Sequence, residues 1–238
     1  MRSYDKKTTL PGHTGCNTTV TKVFICLVIA NSFIHSFAHE SMNNEDKNKP
    51  NIIYILVDDL GWGDLECYGN LFVKTPHINK MAEEGMLFEQ FYVNASLCSP
   101  SRAALITGQF PARNGIHYWM GTRHNKQFGM PEYLDTLKIT IPELFQQAGY
   151  YTAHFGKWHI GHHEDAHVSK YGYDEVDYIW GGVGPNPGIR ANHPRGTEML
   201  VDRSIQFMKN CLKKETPFYI NLWPRDVHAA LDPADESL

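Results

Sequence analysis

Residues 51–61 decide the fold, and they read Asn-Ile-Ile-Tyr-Ile-Leu-Val-Asp-Asp-Leu-Gly. The continuous apolar run from Asn51 to Val57 is typical of a strand that is buried on both faces in a parallel sheet. Asp58 and Asp59 follow this strand directly, and two adjacent carboxylates there are costly unless another charge offsets them. A divalent cation such as Ca²⁺ or Mg²⁺ would do so, although a solvated Asp-Asp turn fits the sequence equally well.

Two later stretches repeat this arrangement of an apolar strand followed by titratable side chains. The first is 150–155, Tyr-Tyr-Thr-Ala-His-Phe, and the second is 218–223, Phe-Tyr-Ile-Asn-Leu-Trp. Lys157 and His159 follow the first strand, and because they alternate around one residue they point the same way in an extended loop. His228 follows the second strand. Functional sites in open α/β sheets lie outside the carboxyl ends of the strands, so these side chains are candidates for one site.

Helical patterns occupy the intervals between the strands. The range 76–84 predicts one helix, and Thr140 with Glu143 forms a capping box at the start of another. A long helix over 197–215 is expected to place four apolar side chains on one face: Val201, Ile205, Met208 and Leu212. Strands alternating with helices predict an α/β fold with a mostly parallel central sheet that is flanked by helices.

The most informative motif is 98–108, Cys-Ser-Pro-Ser-Arg-Ala-Ala-Leu-Ile-Thr-Gly. Ser99 is expected to cap a short helix, with Pro100 at its first position and Gly108 at its end. Cys98 would then lie just outside the helix N-terminus, where free backbone N–H groups and the helix dipole favour a negative charge. Taken alone, this cysteine is better explained as a small buried hydrophobic residue.

The whole string, Cys-x-Pro-Ser-Arg followed by Leu-x-Thr-Gly, resembles the signature of the sulfatase family. Four further features fall in sulfatase order across about residues 50 to 230: Asp58-Asp59-Leu60-Gly61, Thr75-Pro76-His77-Ile78, Gly156-Lys157-Trp158-His159 and His228. The resemblance implies the alkaline-phosphatase-like fold, with a large central sheet flanked by helices and a smaller C-terminal sheet domain. It also implies hydrolysis of sulfate esters through formylglycine, an aldehyde that a formylglycine-generating enzyme makes from the signature cysteine.

Carried over by motif, the resemblance assigns a role to each candidate side chain. It implies a calcium site with three ligands: Asp58, Asp59 and the modified Cys98. It implies five catalytic residues: Cys98, Arg102, Lys157, His159 and His228. Cys98 would be the nucleophile, Arg102 would hold it, and His159 would take a proton from its hydroxyl. Lys157 and His228 would bind the sulfate, and His228 would also assist the leaving oxygen. The physical logic agrees, because a sulfate ester is an anion and cations must collect around it.

Composition and the N-terminal residues bear on compartment and partners. The chain has 238 residues and a formal net charge of −4, which indicates one globular domain and gives no nucleic-acid footprint. Residues 1–38 are interpreted as a signal peptide with cleavage after Ala38, and an uncleaved membrane anchor is the alternative. Residues 39–49 then form a polar linker before a catalytic domain over 50–238. We therefore expect the secretory pathway, whether lysosomal, extracellular or periplasmic, with membrane contact only through the signal segment.

The sequence departs from the family pattern in one respect and leaves several questions open. Family members supply a later Asp-Asn pair and a further lysine, for which this chain offers no candidate. We therefore expect an incomplete N-terminal portion of a sulfatase that lacks the C-terminal part and whose own activity is in doubt.

A phosphate or phosphonate ester hydrolase of the same superfamily and a non-catalytic secreted protein are the alternatives. The resemblance implies a sulfated small molecule or glycan as the substrate, and if Cys98 is modified Cys67 could pair with Cys211.

Overall fold

The computed structural model describes residues 49–161, 166–179 and 195–228. The expected signal peptide and the linker up to residue 48 lie outside the described residues, so both stay predictions. No helix in the described part of the chain is long and apolar enough to cross a membrane.

In the part of the chain that the structure describes, four parallel strands form the central sheet: β1 (Ile52–Ile55), β2 (Tyr151–Lys157), β3 (Glu175–Ile179) and β4 (Phe218–Trp223). Their spatial order is β1-β4-β2-β3, and every adjacent pair is parallel. The predicted α/β class with a parallel sheet and flanking helices is therefore confirmed. The prediction missed β3, because its sequence Glu-Val-Asp-Tyr-Ile carries charges and does not form a continuous apolar run.

The first strand differs from its prediction in burial. We expected both faces of β1 to be covered, but it lies at one edge of the described sheet and its side chains alternate between half-buried and exposed. Ile53 is 46% exposed and Ile55 is 53% exposed. The other edge of β1 pairs with β4, whose six residues are all buried, so that Ile52 lies opposite Tyr219 and Tyr54 lies opposite Asn221.

Within the described residues, six α-helices accompany the sheet: α1 (Pro76–Glu84), α2 (Cys98–Thr107), α3 (Pro111–Asn114), α4 (Thr122–Gln127), α5 (Ile141–Gln147) and α6 (Gly196–Lys213). The predicted bounds of α1 are confirmed. The predicted capping box at α5 is also confirmed, because Thr140 N–H donates to Glu143 Oε2 at 2.8 Å and Thr140 Oγ1 accepts from Glu143 N–H at 3.4 Å.

The predicted buried face of α6 was wrong by one residue. The face that packs on the sheet carries Leu200, Ser204, Phe207 and Cys211, while Leu212 is 61% exposed. The aromatic ring of Phe207 sets this rotation, because it stacks on Tyr151 with centroids 5.4 Å apart and meets Phe155 edge-on at 5.8 Å. Large rings bury more apolar area than the aliphatic residues on the face we expected.

The sheet separates two apolar cores, and α2 belongs to the one that supports the site. Helix α6 covers one face, where Phe155, Ile220 and Leu222 point toward it. On the other face, Ala103 and Ile106 of α2 pack with Tyr219 and Trp223 of β4. This packing holds the N-terminus of α2 beside the carboxyl ends of the strands. Cys67, Cys98 and Cys211 are all free thiols, so the Cys67–Cys211 pair that the sequence left open is not formed.

Candidate active site

The predicted site residues come from four separate elements and meet at the carboxyl edge of the sheet. Asp58 follows β1, Lys157 ends β2, and His228 lies beyond β4. Helix α2 brings Cys98 and Arg102 to the same place from one side. A cavity of about 220 Å³ opens beside them, and its lining includes Asp58, Asp59, Cys98 and Arg102. This cavity is smaller than the roughly 300–1,000 Å³ of pockets that hold drug-sized ligands, so it suits a small chemical group.

Asp58 is the ionic centre of the site. Its carboxylate is 6% exposed, and Oδ1 accepts from Arg102 Nη2 at 2.8 Å while Oδ2 accepts from Lys157 Nζ. Burial alone would raise the pKa of Asp58, but the guanidinium of Arg102 and the ammonium of Lys157 outweigh it and hold the pKa below its ordinary value. The carboxylate is therefore ionised at neutral pH.

Arg102 connects Asp58 to the end of β2. Its Nη1 donates to the Lys157 carbonyl oxygen at 2.9 Å, and its guanidinium lies 4.7 Å from the centroid of the Trp223 ring. The side chain is 1% exposed, and this burial lowers its pKa while Asp58 opposes the change. An arginine stays charged under these conditions, so a buried cation is fixed beside the N-terminus of α2.

Cys98 is the first residue of α2 rather than the residue before it. Leu97 occupies the N-cap position, and the expected cap Ser99 makes no capping bond, because its hydroxyl instead accepts from the Met120 N–H at 2.8 Å. The Cys98 Sγ lies 3.1 Å from His159 Nδ1. The helix N-terminus and an imidazole thus face the same sulfur atom, as the motif positions of these two residues implied.

His159 is a neutral imidazole in this environment. Burial and the ammonium of Lys157 lower its pKa from 6.5 to about 4, against a smaller opposing effect of the Met120 carbonyl. His159 Nε2 lies 3.0 Å from the Met120 carbonyl oxygen. The backbone of His159 is left-handed, with φ 59°, as is that of Asp59, with φ 63°. Two of the three positive-φ non-glycine residues in the described chain thus border the site, a pattern typical of functional positions.

Gly156 has a structural reason for its place before Lys157. Its φ is +113°, and a Cβ atom there would lie 2.2 Å from the Trp223 carbonyl oxygen on the neighbouring strand. Only glycine combines this backbone angle with such a close approach. The close approach between β2 and β4 at this glycine fixes where Lys157 and His159 emerge.

The side chains that could hold a metal ion form a different group from the one we expected. Asp58, Asp59 and His228 each offer one ligand atom, and these atoms lie within 4.8 Å of one another. His228 Nε2 is 3.7 Å from Asp58 Oδ2 and 3.7 Å from Asp59 Oδ2. Cys98 does not belong to this group within the described residues. Sequence analysis identified both carboxylates, but it placed His228 with the substrate rather than beside them.

Met120 contributes contacts to this site that the sequence motifs do not predict. Its backbone contacts Ser99 and His159 at once, and its side chain is 1% exposed. Backbone contacts of this kind do not depend on residue type, so no motif reports them. The site as a whole combines carboxylates, two buried cationic side chains and a potential nucleophile at a helix N-terminus, an arrangement typical of proteins that bind and transfer a small anionic group.

Comparison with known proteins agrees with this class. The sequence model of the family named Sulfatase matches residues 50–237. The N-acetylgalactosamine-6-sulfatase of Canis lupus familiaris is 45% identical over 130 residues, which are 53% of this chain and 24% of that protein. Arylsulfatase G of Rattus norvegicus is 39% identical over 181 residues, which are 73% of this chain and 32% of that protein.

Solved structures give the same result. The crystal structure of Ps i-CgsB matches with a TM-score of 0.70 and 28% identity, and the match covers 79% of this chain and 48% of that one. The structure of BT4656 in complex with its substrate D-glucosamine-2-N,6-O-disulfate matches with a TM-score of 0.64 and 27% identity over 80% of this chain and 37% of that one. This chain belongs to the sulfatase family. It spans about a quarter to a third of the length of the curated relatives it matches.

Proposed function

We propose that this chain carries the nucleophile and the anion-binding side chains of a sulfuric ester hydrolase of the arylsulfatase type. The observation that carries the proposal is the pair formed by Cys98 and His159, whose Sγ and Nδ1 atoms are 3.1 Å apart beside the buried cations Arg102 and Lys157. Family membership supports the reaction class. The activity of the whole protein stays a proposal, because the match spans only part of each relative.

The nucleophile in this proposal is formylglycine, made from Cys98 by a formylglycine-generating enzyme. As its hydrate, this group supplies one hydroxyl that attacks sulfur and a second hydroxyl whose deprotonation releases sulfate. His159 fits the role of general base, because its Nδ1 faces residue 98 and its neutral form is available at ordinary pH. A histidine that stays neutral is ready to accept a proton without first having to lose one.

The remaining side chains stabilise charge and bind the ester. Lys157 Nζ and the α2 N-terminus offer donors to the sulfate oxygens, and Arg102 adds a fixed positive charge behind them. The His228 side chain is 27% exposed, so its imidazole is accessible to a bound ester. A protonated His228 would donate to that oxygen as the ester bond breaks.

Two of the three side chains that could hold a metal ion fit calcium. The oxygens of Asp58 and Asp59 are hard ligands that Ca²⁺ prefers, whereas an imidazole such as that of His228 is not. We therefore propose that the two carboxylates hold the ion together with an oxygen of the modified residue 98, and that His228 stays on the substrate side. Two carboxylates offer at most about four of the roughly six to eight oxygens that Ca²⁺ takes. The ion would supply Lewis-acid polarisation of the sulfate and of the attacking hydroxyl.

Relatives guide the proposed substrate and compartment. BT4656 binds a disulfated glucosamine, and the relative from Canis lupus familiaris is named for a sulfated amino sugar. We propose a sulfated glycan as the natural substrate, with a small aryl sulfate serving as a laboratory substrate. A formylglycine-dependent enzyme with this N-terminal sequence is expected to pass through the secretory pathway, as the proposed signal peptide over 1–38 requires.

The decisive experiment asks whether residue 98 becomes an aldehyde. The chain is expressed with a formylglycine-generating enzyme, and the peptide that contains residue 98 is labelled with an aminooxy probe and analysed by mass spectrometry. We expect labelling at Cys98, none after Cys98→Ala, and full labelling after Cys67→Ala, which removes a free cysteine outside the motif.

Hydrolysis of sulfated glucosamine oligosaccharides and of an aryl sulfate is then compared with hydrolysis of the matching phosphate monoester. An aldehyde without turnover would favour a non-catalytic protein. An aldehyde with faster phosphate hydrolysis would favour a phosphatase of the same superfamily. Absence of the aldehyde would contradict the proposal outright.

A further inference from the structure

Beneath His159 lies a hydrogen-bonded network that the roles above do not use. His159 Nε2 faces the Met120 carbonyl oxygen at 3.0 Å, and the Met120 N–H donates to Ser99 Oγ at 2.8 Å. Ser99 is 0% exposed and Met120 is 1% exposed, so water does not compete for either bond. Ser99 is also the covalent neighbour of Cys98, which faces the other nitrogen of the same imidazole.

The carbonyl of Met120 selects one tautomer of the neutral ring. A carbonyl oxygen can only accept, so His159 Nε2 must carry the proton if the 3.0 Å contact is a hydrogen bond. Nδ1 then carries a lone pair instead of a proton, and Nδ1 lies 3.1 Å from the Sγ atom of residue 98. The opposite tautomer would leave two acceptors facing each other in a buried site, which costs about 1–3 kcal/mol.

Ser99 holds the residue that selects this tautomer. It binds the N–H of Met120 while His159 binds the C=O of the same residue, so both groups depend on one backbone position. Because Ser99 lies in the first turn of α2, its bond ties the loop that carries Met120 to the helix that carries Cys98. The distance between residue 98 and the imidazole is thereby set through Met120.

We propose that Ser99 is a positioning residue for His159. Through Met120 it keeps the proton on Nε2 and points the Nδ1 lone pair at residue 98. The inference deepens the proposed function, on which it rests only for the proton that this lone pair accepts. The tautomer itself exists whether or not the chain turns over a substrate, so the two ideas can fail separately.

The loop keeps another anchor when the serine hydroxyl is removed, which makes the test practicable. The Gly121 N–H donates to Asn125 Oδ1 at 3.0 Å, directly after Met120. Ser99→Ala is therefore expected to loosen the placement of Met120 without unfolding the loop. Ser204→Ala is a matched control, because Ser204 is 3% exposed and its hydroxyl donates to the Leu200 carbonyl at 2.8 Å in α6.

The measurement is a two-bond ¹H–¹⁵N correlation spectrum of the full chain with ¹⁵N-labelled histidine and unmodified Cys98. The His159 signals are assigned by their loss in His159→Gln. In the unsubstituted chain we expect the pattern of an imidazole protonated at Nε2. Ser99→Ala is expected to bring the signals of the two ring nitrogens together, as happens when both tautomers are populated, and Ser99→Thr is expected to restore the original pattern because it keeps the hydroxyl.

Three results would overturn the proposal. The first is a His159 protonated at Nδ1 in the unsubstituted chain, a readout that does not depend on whether Ser99→Ala folds. The second is an unchanged His159 pattern in a folded Ser99→Ala, and the third is an equal change in Ser204→Ala. In material whose residue 98 carries the aldehyde, Ser99→Ala is expected to lower kcat about tenfold and leave KM within about twofold, since the base is misaligned and the sulfate contacts remain. Failure to form the aldehyde would contradict the proposed function while leaving the spectroscopic result intact.

Discussion

Replacement of Gly156 by alanine tests how β2 delivers Lys157 and His159 to the site. The new Cβ would lie 2.2 Å from the Trp223 carbonyl oxygen and 2.7 Å from its carbonyl carbon, both of which are backbone atoms of β4. Ordinary contacts of a Cβ atom begin at 3.4 Å, so relief requires the two strands to separate by about an ångström. A φ of +113° is also outside the region that alanine adopts without strain.

The size of the effect can be bracketed with a second glycine. Gly108, which ends α2, has φ +64° and no atom within 4 Å of a Cβ, so Gly108→Ala adds only the left-handed backbone cost of about 1–2 kcal/mol. Gly156→Ala adds backbone overlap worth about 1–3 kcal/mol or more to a strain of similar size. We expect its free energy of unfolding to fall by about 4 kcal/mol, a large share of the roughly 5–15 kcal/mol of a typical domain.

Urea denaturation followed by tryptophan fluorescence measures both variants on the full chain. A chain of this length loses about 2–4 °C of melting temperature per kcal/mol, so thermal unfolding should separate Gly156→Ala from Gly108→Ala by about 5–10 °C. If the two variants differ by less than about 1 kcal/mol, the close approach between β2 and β4 is not the reason for glycine at this position, and our account of how Lys157 is placed is wrong.

Three further predictions concern buried charge and metal. Arg102→Met should lower the free energy of unfolding by about 3–5 kcal/mol because it removes a buried cation from the buried Asp58 carboxylate, whereas Arg203→Met, at a partly exposed ion pair, should cost under about 1 kcal/mol in the same urea titration. Burial lowers the pKa of His154 from 6.5 to about 3. Between these two pH values the histidine binds a proton in the unfolded chain but not in the native chain. Stability should thus fall by about 1.4 kcal/mol per pH unit from pH 6.5 toward 3, and His154→Leu should abolish that part of the slope. Lys157→Met should bind Tb³⁺ or Ca²⁺ roughly fivefold more tightly in a luminescence titration, because the ammonium and the ion compete for the same carboxylate; unchanged affinity would contradict this.

Much of the fold followed from local patterns, and the errors have physical causes. The bounds of α1 and β4 were predicted as observed, because an N-terminal proline and a continuous apolar run are strong local signals. Strand β3 was not predicted, because Glu175 and Asp177 interrupt its apolar character. The buried face of α6 differs from the predicted face by one residue, because Phe207 packs on the sheet. Tertiary contacts decided both cases, and local sequence does not report them.

For the candidate site as well, local sequence predicted some features, and the others depend on tertiary contacts. Sequence motifs named the side chains that meet there, but not the bonds between them. Asp58 lies 44 residues from Arg102 and 99 residues from Lys157, and only the order of the strands brings the three together. The left-handed backbone of Asp59 and the contacts of Met120 are also set by the fold, since neither residue type requires them.

The charge balance of the site gives a reason for its arrangement. Two carboxylates, Asp58 and Asp59, face two fixed cations, Arg102 and Lys157, so the cluster is close to neutral as it stands. A neutral buried cluster stabilises the fold better than an unpaired charge but attracts an anion only weakly. A divalent cation held by the carboxylates would displace Lys157 from Asp58 and leave an excess of positive charge, which is the condition a sulfate ester needs. Lys157 would then pair with Asp58 when the metal is absent and with the sulfate when the metal is bound. Because each ligand favours the same position of the Lys157 side chain, metal binding and anion binding would strengthen one another.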